Sequence, residues 1–392
     1  MSSSTSSSSP LGAALDATPV APWATRRYVR RALLWPTAAV LLAELVCRVV
    51  SPVYLENPDP REVEVAAPGY RRLRPNLTTH TNVGGVPTTV KVNADGFRDA
   101  PFPATRACLV VGVGNSFVAN WALPQEAFWS TQLETKLRNG PDVQRCAVRS
   151  AGFQGWTLAE MDSALAHVIL PQRPEVIVLF FSNLTMWTDT AFDPAVNDAA
   201  IAKWQASSGH PPRPMPRPEA TWMGRIIGFY NTIERHSALL GTLKVRAPML
   251  PMTLGLSELA VAPVYRDEVF SAREGPTLAS LDLLRGRIER AGAKLLVVAV
   301  PALPEADEDV YDLMLAAYGG SDRGVNLVRP VAAVQKWAQA RHVPFLDLAP
   351  VLRGRHPPAM GYVDHHWNDI GNALAAKELE PLVRQLLPPT TR

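Results

Sequence analysis

The sequence predicts an α/β protein: a three-layer α/β/α sandwich on a five-stranded parallel sheet of flavodoxin-like order, preceded by one transmembrane helix. Three observations carry this expectation. From Ala107 onward, apolar runs alternate with helical segments, as expected for strands covered by helices on both faces. Near the N-terminus, ALLWPTAAVLLAELVCRVVSPVYL from Ala32 to Leu55 is long and apolar enough to cross a bilayer as a helix. The chain also has 392 residues and 47% apolar content, sufficient for a full core.

The five strands are expected at Cys108 to Val113, Val143 to Val148, Val176 to Phe181, Lys294 to Val300 and Val343 to Leu346. Between them, Thr157-Leu-Ala-Glu160 is a capping box opening a helix whose Leu158, Met161, Leu165 and Val168 share one face. A last helix turns Ile370, Leu374, Leu379 and Leu382 toward the core. Three scattered cysteines make no disulfide framework, and Cys108 and Cys146, both expected in strands, read as buried free thiols.

The chain divides into a Ser-rich tail at 1–25, an arginine cluster with a signal anchor at 26–55, a β-rich lead-in at 56–103, and a main domain at 104–387. Arg26, Arg27, Arg30 and Arg31 place the N-terminal flank in the cytoplasm. The stretch LAELVC lacks the small residues that cleavage or lipid modification needs, so the anchor stays attached and the rest lies outside the cytoplasm. Glu44 and Arg48 are costly in hydrocarbon, which would suit a core helix, yet at i, i+4 they can pair. In the lead-in, Asn82-Val-Gly-Gly-Val is a hairpin candidate. Trp187 to Gly275 interrupts the main domain with the Pro-rich PPRPMPRP and a helix from Trp222 to Lys244: a lid, a decoration, or a helix resting on the membrane. A net charge of +3 offers no polyanion stripe, and nucleic acid is not an expected partner.

Ligands of open parallel sheets bind at the carboxyl ends of the strands. The first expected strand ends in Val111-Gly-Val-Gly-Asn-Ser-Phe, which sets Ser116 where strand becomes helix, as a nucleophile or merely a helix cap. The second leads to Gly155, whose N–H can approach a substrate closely. Beyond the third stands Asn183, with a side-chain amide at the same rim. After the fifth comes Asp364-His365-His366. Residues two apart in extended chain point the same way, so Asp364 can orient His366 while the other ring nitrogen accepts the serine proton. Together these supply a nucleophile, a base with its carboxylate, and three oxyanion donors: the Ser116 and Gly155 N–H groups and the Asn183 amide. Each donor is worth roughly 3 kcal/mol at a tetrahedral transition state. That set serves acyl transfer. A metal site would need further ligands at suitable spacing, and none is present; no cofactor is expected. Gly112-Val-Gly114 also follows a strand, but Phe117 stands where a dinucleotide fingerprint needs its third glycine.

These residues resemble the SGNH (GDSL-type) hydrolases, particularly bacterial membrane-anchored members. The first block is similar at Gly114-Asn115-Ser116-Phe117, the glycine block at Gly152 and Gly155, the asparagine block at Asn183, and the closing block at Asp364, His366, Asn368 and Gly371. Upstream, Asn93-Ala-Asp-Gly96-Phe-Arg98-Asp99 resembles a stretch that often precedes such domains. Asn115 stands where aspartate is usual, Ser150 where asparagine is common, and Leu184 where aspartate is frequent. The resemblance implies an esterase or O-acetyl transfer enzyme acting on an envelope carbohydrate or lipid ester. It would sit at the bacterial inner membrane by a single pass. The departures at Asn115 and Leu184 motivate the alternative, a non-catalytic envelope scaffold.

Overall fold

The computed structural model describes residues 22–50, 62–66, 69–83, 86–104, 108–139, 146–182, 186–188, 213–214, 229, 233, 236–246, 263–308, 310–312, 326–355, 360 and 366–388. Helix α1 runs Pro22–Val50, beginning within the stretch read as tail. Its segment Leu33–Val50 has mean hydropathy 1.8 and no residue buried, and among the described residues it is the one helix long and apolar enough to cross a membrane.

The described part of the lead-in holds four strands. Strands β1 (Val63–Ala66) and β2 (Tyr70–Leu73) pair antiparallel, as do β3 (Thr78–Val83) and β4 (Val86–Lys91). The Val83↔Val86 register matches the hairpin expected at Asn82-Val-Gly-Gly-Val.

Five strands form the central parallel sheet: β5 (Cys108–Gly114), β6 (Cys146–Gly152), β7 (Val176–Ser182), β9 (Lys294–Val300) and β10 (Phe345–Asp347). Their spatial order is β10-β9-β7-β5-β6, with every pair parallel. This is the flavodoxin-like order, which sets the switch point beside β5. Alternate side chains go to opposite cores. Leu109, Val111 and Val113 of β5 join one, and Cys108 and Val110 the other. Helices α4 (Leu158–Ala164), α6 (Asp267–Arg290) and α8 (Val328–Ala340) fill the first face, through residues such as Met161, Leu284 and Trp337. Helices α3 (Trp129–Asn139) and α10 (Asp369–Leu386) fill the second, through Leu133, Leu379 and Val383. Tyr70 and Phe97 of the lead-in stack edge-on against Trp156, so the lead-in shares the first core.

The capping box at Thr157 and Glu160 forms as expected. The fifth strand starts at Phe345 rather than Val343, because the Val343 amide closes back on Ala338 O at 2.9 Å and Pro344 has no N–H to give. Gly275 and Pro276, where the interruption was expected to end, stand inside α6. Of the Pro-rich stretch, Arg213–Pro214 forms β8, which pairs with β1. Helix α5 (Ala238–Arg246) lies partly within the helix expected from Trp222 to Lys244.

Cys108 and Cys146 are bonded to each other, which corrects the expectation of free thiols. The run-by-run reading placed each in a strand, but it could not show that the strands are neighbours in register. Cys108 faces Cys146 across β5 and β6 with 4.4 Å between Cα atoms, within disulfide reach. Strand β6 is an edge, and carboxylates close its outer amides: Glu134 takes Val148 N–H at 2.9 Å and Asp99 takes Ser150 N–H at 2.7 Å.

Candidate active site

Ser116 opens the short helix α2 (Ser116–Ala119) directly beyond β5. The residue that caps this helix is Asn115, whose side-chain oxygen accepts from the Phe117 amide at 3.2 Å. Ser116 is therefore the first helical residue and not the cap. Asparagine caps as well as aspartate does, so the substitution at 115 keeps this bond. Behind the turn, a Cβ on Gly152 would lie 2.8 Å from Gly114 O, 2.9 Å from Val118 Cβ and 3.0 Å from Asn115 O. Only glycine lets β6 pass that close.

His366 lies beside the serine turn, its ring 4.8 Å from that of Phe117. The next residue explains why. Trp367 is buried and donates its indole N–H to Phe117 O at 2.8 Å, while Asn120 Nδ2 donates to Trp367 O at 3.1 Å. Trp367 also meets the rings of Phe117 and Phe180 edge-on. A main-chain bridge to Met360 and the Asn368 cap on Gly371 N–H fix both sides of this segment. The residues from 366 to 368 are thus held to the turn that begins with Ser116, although 250 positions separate the ring donor from its acceptor.

Gly155 sits in the turn after β6 with φ +67°, the left-handed region that favours glycine. Its carbonyl accepts from Arg71 Nη2 at 2.6 Å. Arg71, in β2, also grips both carboxylate oxygens of Glu160 at 2.7 Å, and its own carbonyl accepts from Trp156 Nε1 at 2.7 Å. Arg71 thus ties the Gly155 turn to the lead-in. Because β6 and β7 flank β5, the chain leaves all three strands side by side at one rim. Ser116 and Gly155 are brought to that rim. Asn183, next in sequence after β7, and Asp364 with His365 lie outside the described residues.

The Asn93 to Asp99 stretch forms a buried bracket behind the site. Arg98 donates to Asn120 O and Leu123 O and lies 4.4 Å over the Phe128 ring. Burial pulls its pKa down to about 9, leaving it charged at neutral pH. Asp99 accepts from Ser130 Oγ at 3.0 Å as well as from Ser150 N–H, and burial lifts its pKa to about 6. Asn120, Trp367 and Arg71 were missed as supporting residues by sequence reasoning. The one signal for Asn120 was an asparagine four positions after the candidate nucleophile. Among the described residues, no group of three or more His, Cys, Asp or Glu could hold a metal ion.

No family model and no curated protein matches the sequence. Solved structures do. A lipase/acylhydrolase from Enterococcus faecalis is similar over 73% of this chain and 100% of its own, at 12% identity and TM-score 0.39. An acetyl xylan esterase is similar over 70% of this chain and 99% of its own, at 14% identity and TM-score 0.38. A GDSL-like lipase from Bacteroides thetaiotaomicron is similar over 71% and 89%, at 10% identity and TM-score 0.34. By its own strand order the chain has the three-layer, flavodoxin-like α/β/α architecture that its sequence predicts.

Proposed function

We propose that the chain is a serine ester hydrolase or O-acyl transfer enzyme, with Ser116 as nucleophile and His366 as base and then acid. Ser116 Oγ would attack the ester carbonyl as His366 takes its proton. Collapse of the tetrahedral intermediate would expel the alcohol, protonated by His366, and leave an acyl-serine. Water or an acceptor hydroxyl, deprotonated by the same ring, would then release the acyl group. Asp364 would orient the ring, and the Ser116 and Gly155 amides with the Asn183 side chain would carry the oxyanion.

The observation that supports this most is the docking of 366–368 onto the serine turn through Trp367 and Asn120. A merely structural loop does not need an imidazole at that point. The proposed setting is extracytoplasmic, beyond an α1 that spans the bacterial inner membrane. The Cys108–Cys146 disulfide supports it, because such bonds persist in oxidising compartments. The proposed substrate is an ester of an envelope carbohydrate or lipid.

The test is labelling and turnover of the purified protein. Wild type should react with a fluorophosphonate and hydrolyse p-nitrophenyl acetate, whereas Ser116→Ala and His366→Ala should each lose roughly 10⁴-fold in kcat with unchanged circular dichroism. Full turnover in either variant would remove the mechanism. An unlabelled wild type would favour the non-catalytic scaffold.

A further inference from the structure

Helix α1 carries the carboxylate Glu44 within its apolar segment, six residues before Val50 and so about 9 Å in from that end. That depth lies inside one leaflet, whose hydrocarbon is about 15 Å thick. A carboxylate there needs donors at the same depth. Glu44 has four: Arg48 Nε at 2.7 Å, Ser237 Oγ at 2.8 Å, Ala238 N–H at 3.0 Å and Leu239 N–H at 2.9 Å. The last two belong to the opening turn of α5, whose amides have no partner within their own helix. Arg48 reaches back with a second nitrogen to His236 O at 2.6 Å, and Ser237 Oγ accepts from Leu240 N–H at 3.1 Å. Side chains of α1 therefore satisfy both the entry and the first turn of α5.

The packing fits the hydrogen bonds. Ala238 and Gly241 of α5 are buried, and small residues let helix backbones approach. Ala43, Glu44 and Cys47 are the partly covered positions of α1, while Leu41, Leu42, Leu45 and Val46 around them stay exposed. On the insert, Leu243 is 49% exposed, and the helical residues Phe229 and Ile233 are 69% and 40% exposed. The stretch from Ala238 to Leu243 carries no charge, and Lys244 and Arg246 follow in the last turn of α5.

We propose that α5 is a second membrane-contacting element, docked on α1 through Glu44 within the outer leaflet, with Leu243 facing acyl chains. This rests on α1 spanning a membrane. Lipid is the occupant the structure favours, because the exposed Leu243 of α5, with Phe229 and Ile233 before it in the insert, adds to the exposed apolar surface that α1 already presents. Strand β8 of the same insert pairs with the lead-in, so the insert joins the anchor to the catalytic unit. The main domain would then be held against the bilayer at a fixed attitude, suited to a substrate that resides in or at the membrane.

The full chain in phosphatidylcholine and phosphatidylglycerol vesicles tests this. In a Cys47→Ser background, Leu243→Cys is labelled with an environment-sensitive fluorophore; the remaining two cysteines form the disulfide. The expected result is blue-shifted emission, quenched by lipid spin-labelled near the top of its acyl chain and not by aqueous iodide. Glu44→Ala should abolish that shift while the protein still resists alkaline carbonate extraction, and Glu44→Gln, which keeps one acceptor, should retain part of it. Water-like emission in a carbonate-resistant wild type would overturn the docking alone. So would protection from both quenchers, which would mean protein, such as a second copy, covers α5. Release of the wild type by carbonate would remove the anchor reading itself.

Discussion

The indole of Trp367 both packs and positions. Its ring fills space between Phe117 and Phe180, while its N–H holds the main chain next to Ser116. Trp367→Phe keeps an aromatic ring and deletes the hydrogen bond, so stability should fall by about 1 kcal/mol. Activity should fall further, because small misplacements of a base cost on the order of 10²-fold in rate. Steady-state kinetics should show the loss mainly in kcat, with melting temperature nearly kept; equal retention of both would show that His366 is positioned by other contacts. Asp99 invites a different measurement. Its folded pKa, raised to about 6 by burial, exceeds the ordinary value of 3.8, so between those values the folded state holds the proton more tightly than the unfolded one. The stability this group contributes is fully present below about pH 4 and lost as pH rises through 6. Melting temperature should therefore climb as pH falls from 7 toward 5, and Asp99→Asn should flatten that part of the profile. Ser116 and His366 stood out in the sequence as candidates because each lies in a distinctive local motif beyond an expected strand. Asn120 and Arg71 were not, since a side chain that bonds a carbonyl 247 or 84 residues away leaves no local pattern.

Elements were legible to the extent that burial writes periodicity. Three of the five strands begin and end within a residue of the expected positions, β6 runs on to Gly152 where Val148 was expected, and the capping box fixes the start of α4. The fifth strand starts two residues later than expected, where Pro344 has no N–H to give, and helix α6 runs through Gly275, where the insert was expected to end. Side-chain contact between elements distant in sequence was not legible. The approach of β6 to the serine turn is an example: Gly152→Ala would force Gly114, Asn115 and Val118 to move, for about 1–3 kcal/mol of stability and a displaced nucleophile. Denaturant unfolding and fluorophosphonate labelling rate should both fall. Helices α4 and α6 are similarly joined by Asp162 and Arg287, whose Oδ1 to Nε distance is 2.5 Å with the carboxylate almost wholly buried. Removing one partner of such a pair costs roughly 3–5 kcal/mol, so Arg287→Ala should be among the most destabilising changes on that face, measured by thermal melting.

At the scale of the molecule, the order of the sheet accounts for the proposal of a single reacting rim: β5 lies between β6 and β7, and each is followed in sequence by a residue proposed to act on the substrate. The disulfide lies at the other end of the same strand pair. It closes 38 residues of chain, which by loop entropy alone would stabilise the fold by about 4 kcal/mol. Six residues of extended strand, about 20 Å, separate Cys108 from Gly114 at the serine end. Reductant should consequently shorten the working life of the protein without changing its rate on the first turnovers. A thiol-treated sample would start at full speed and fade on warming, ageing rather than being switched off.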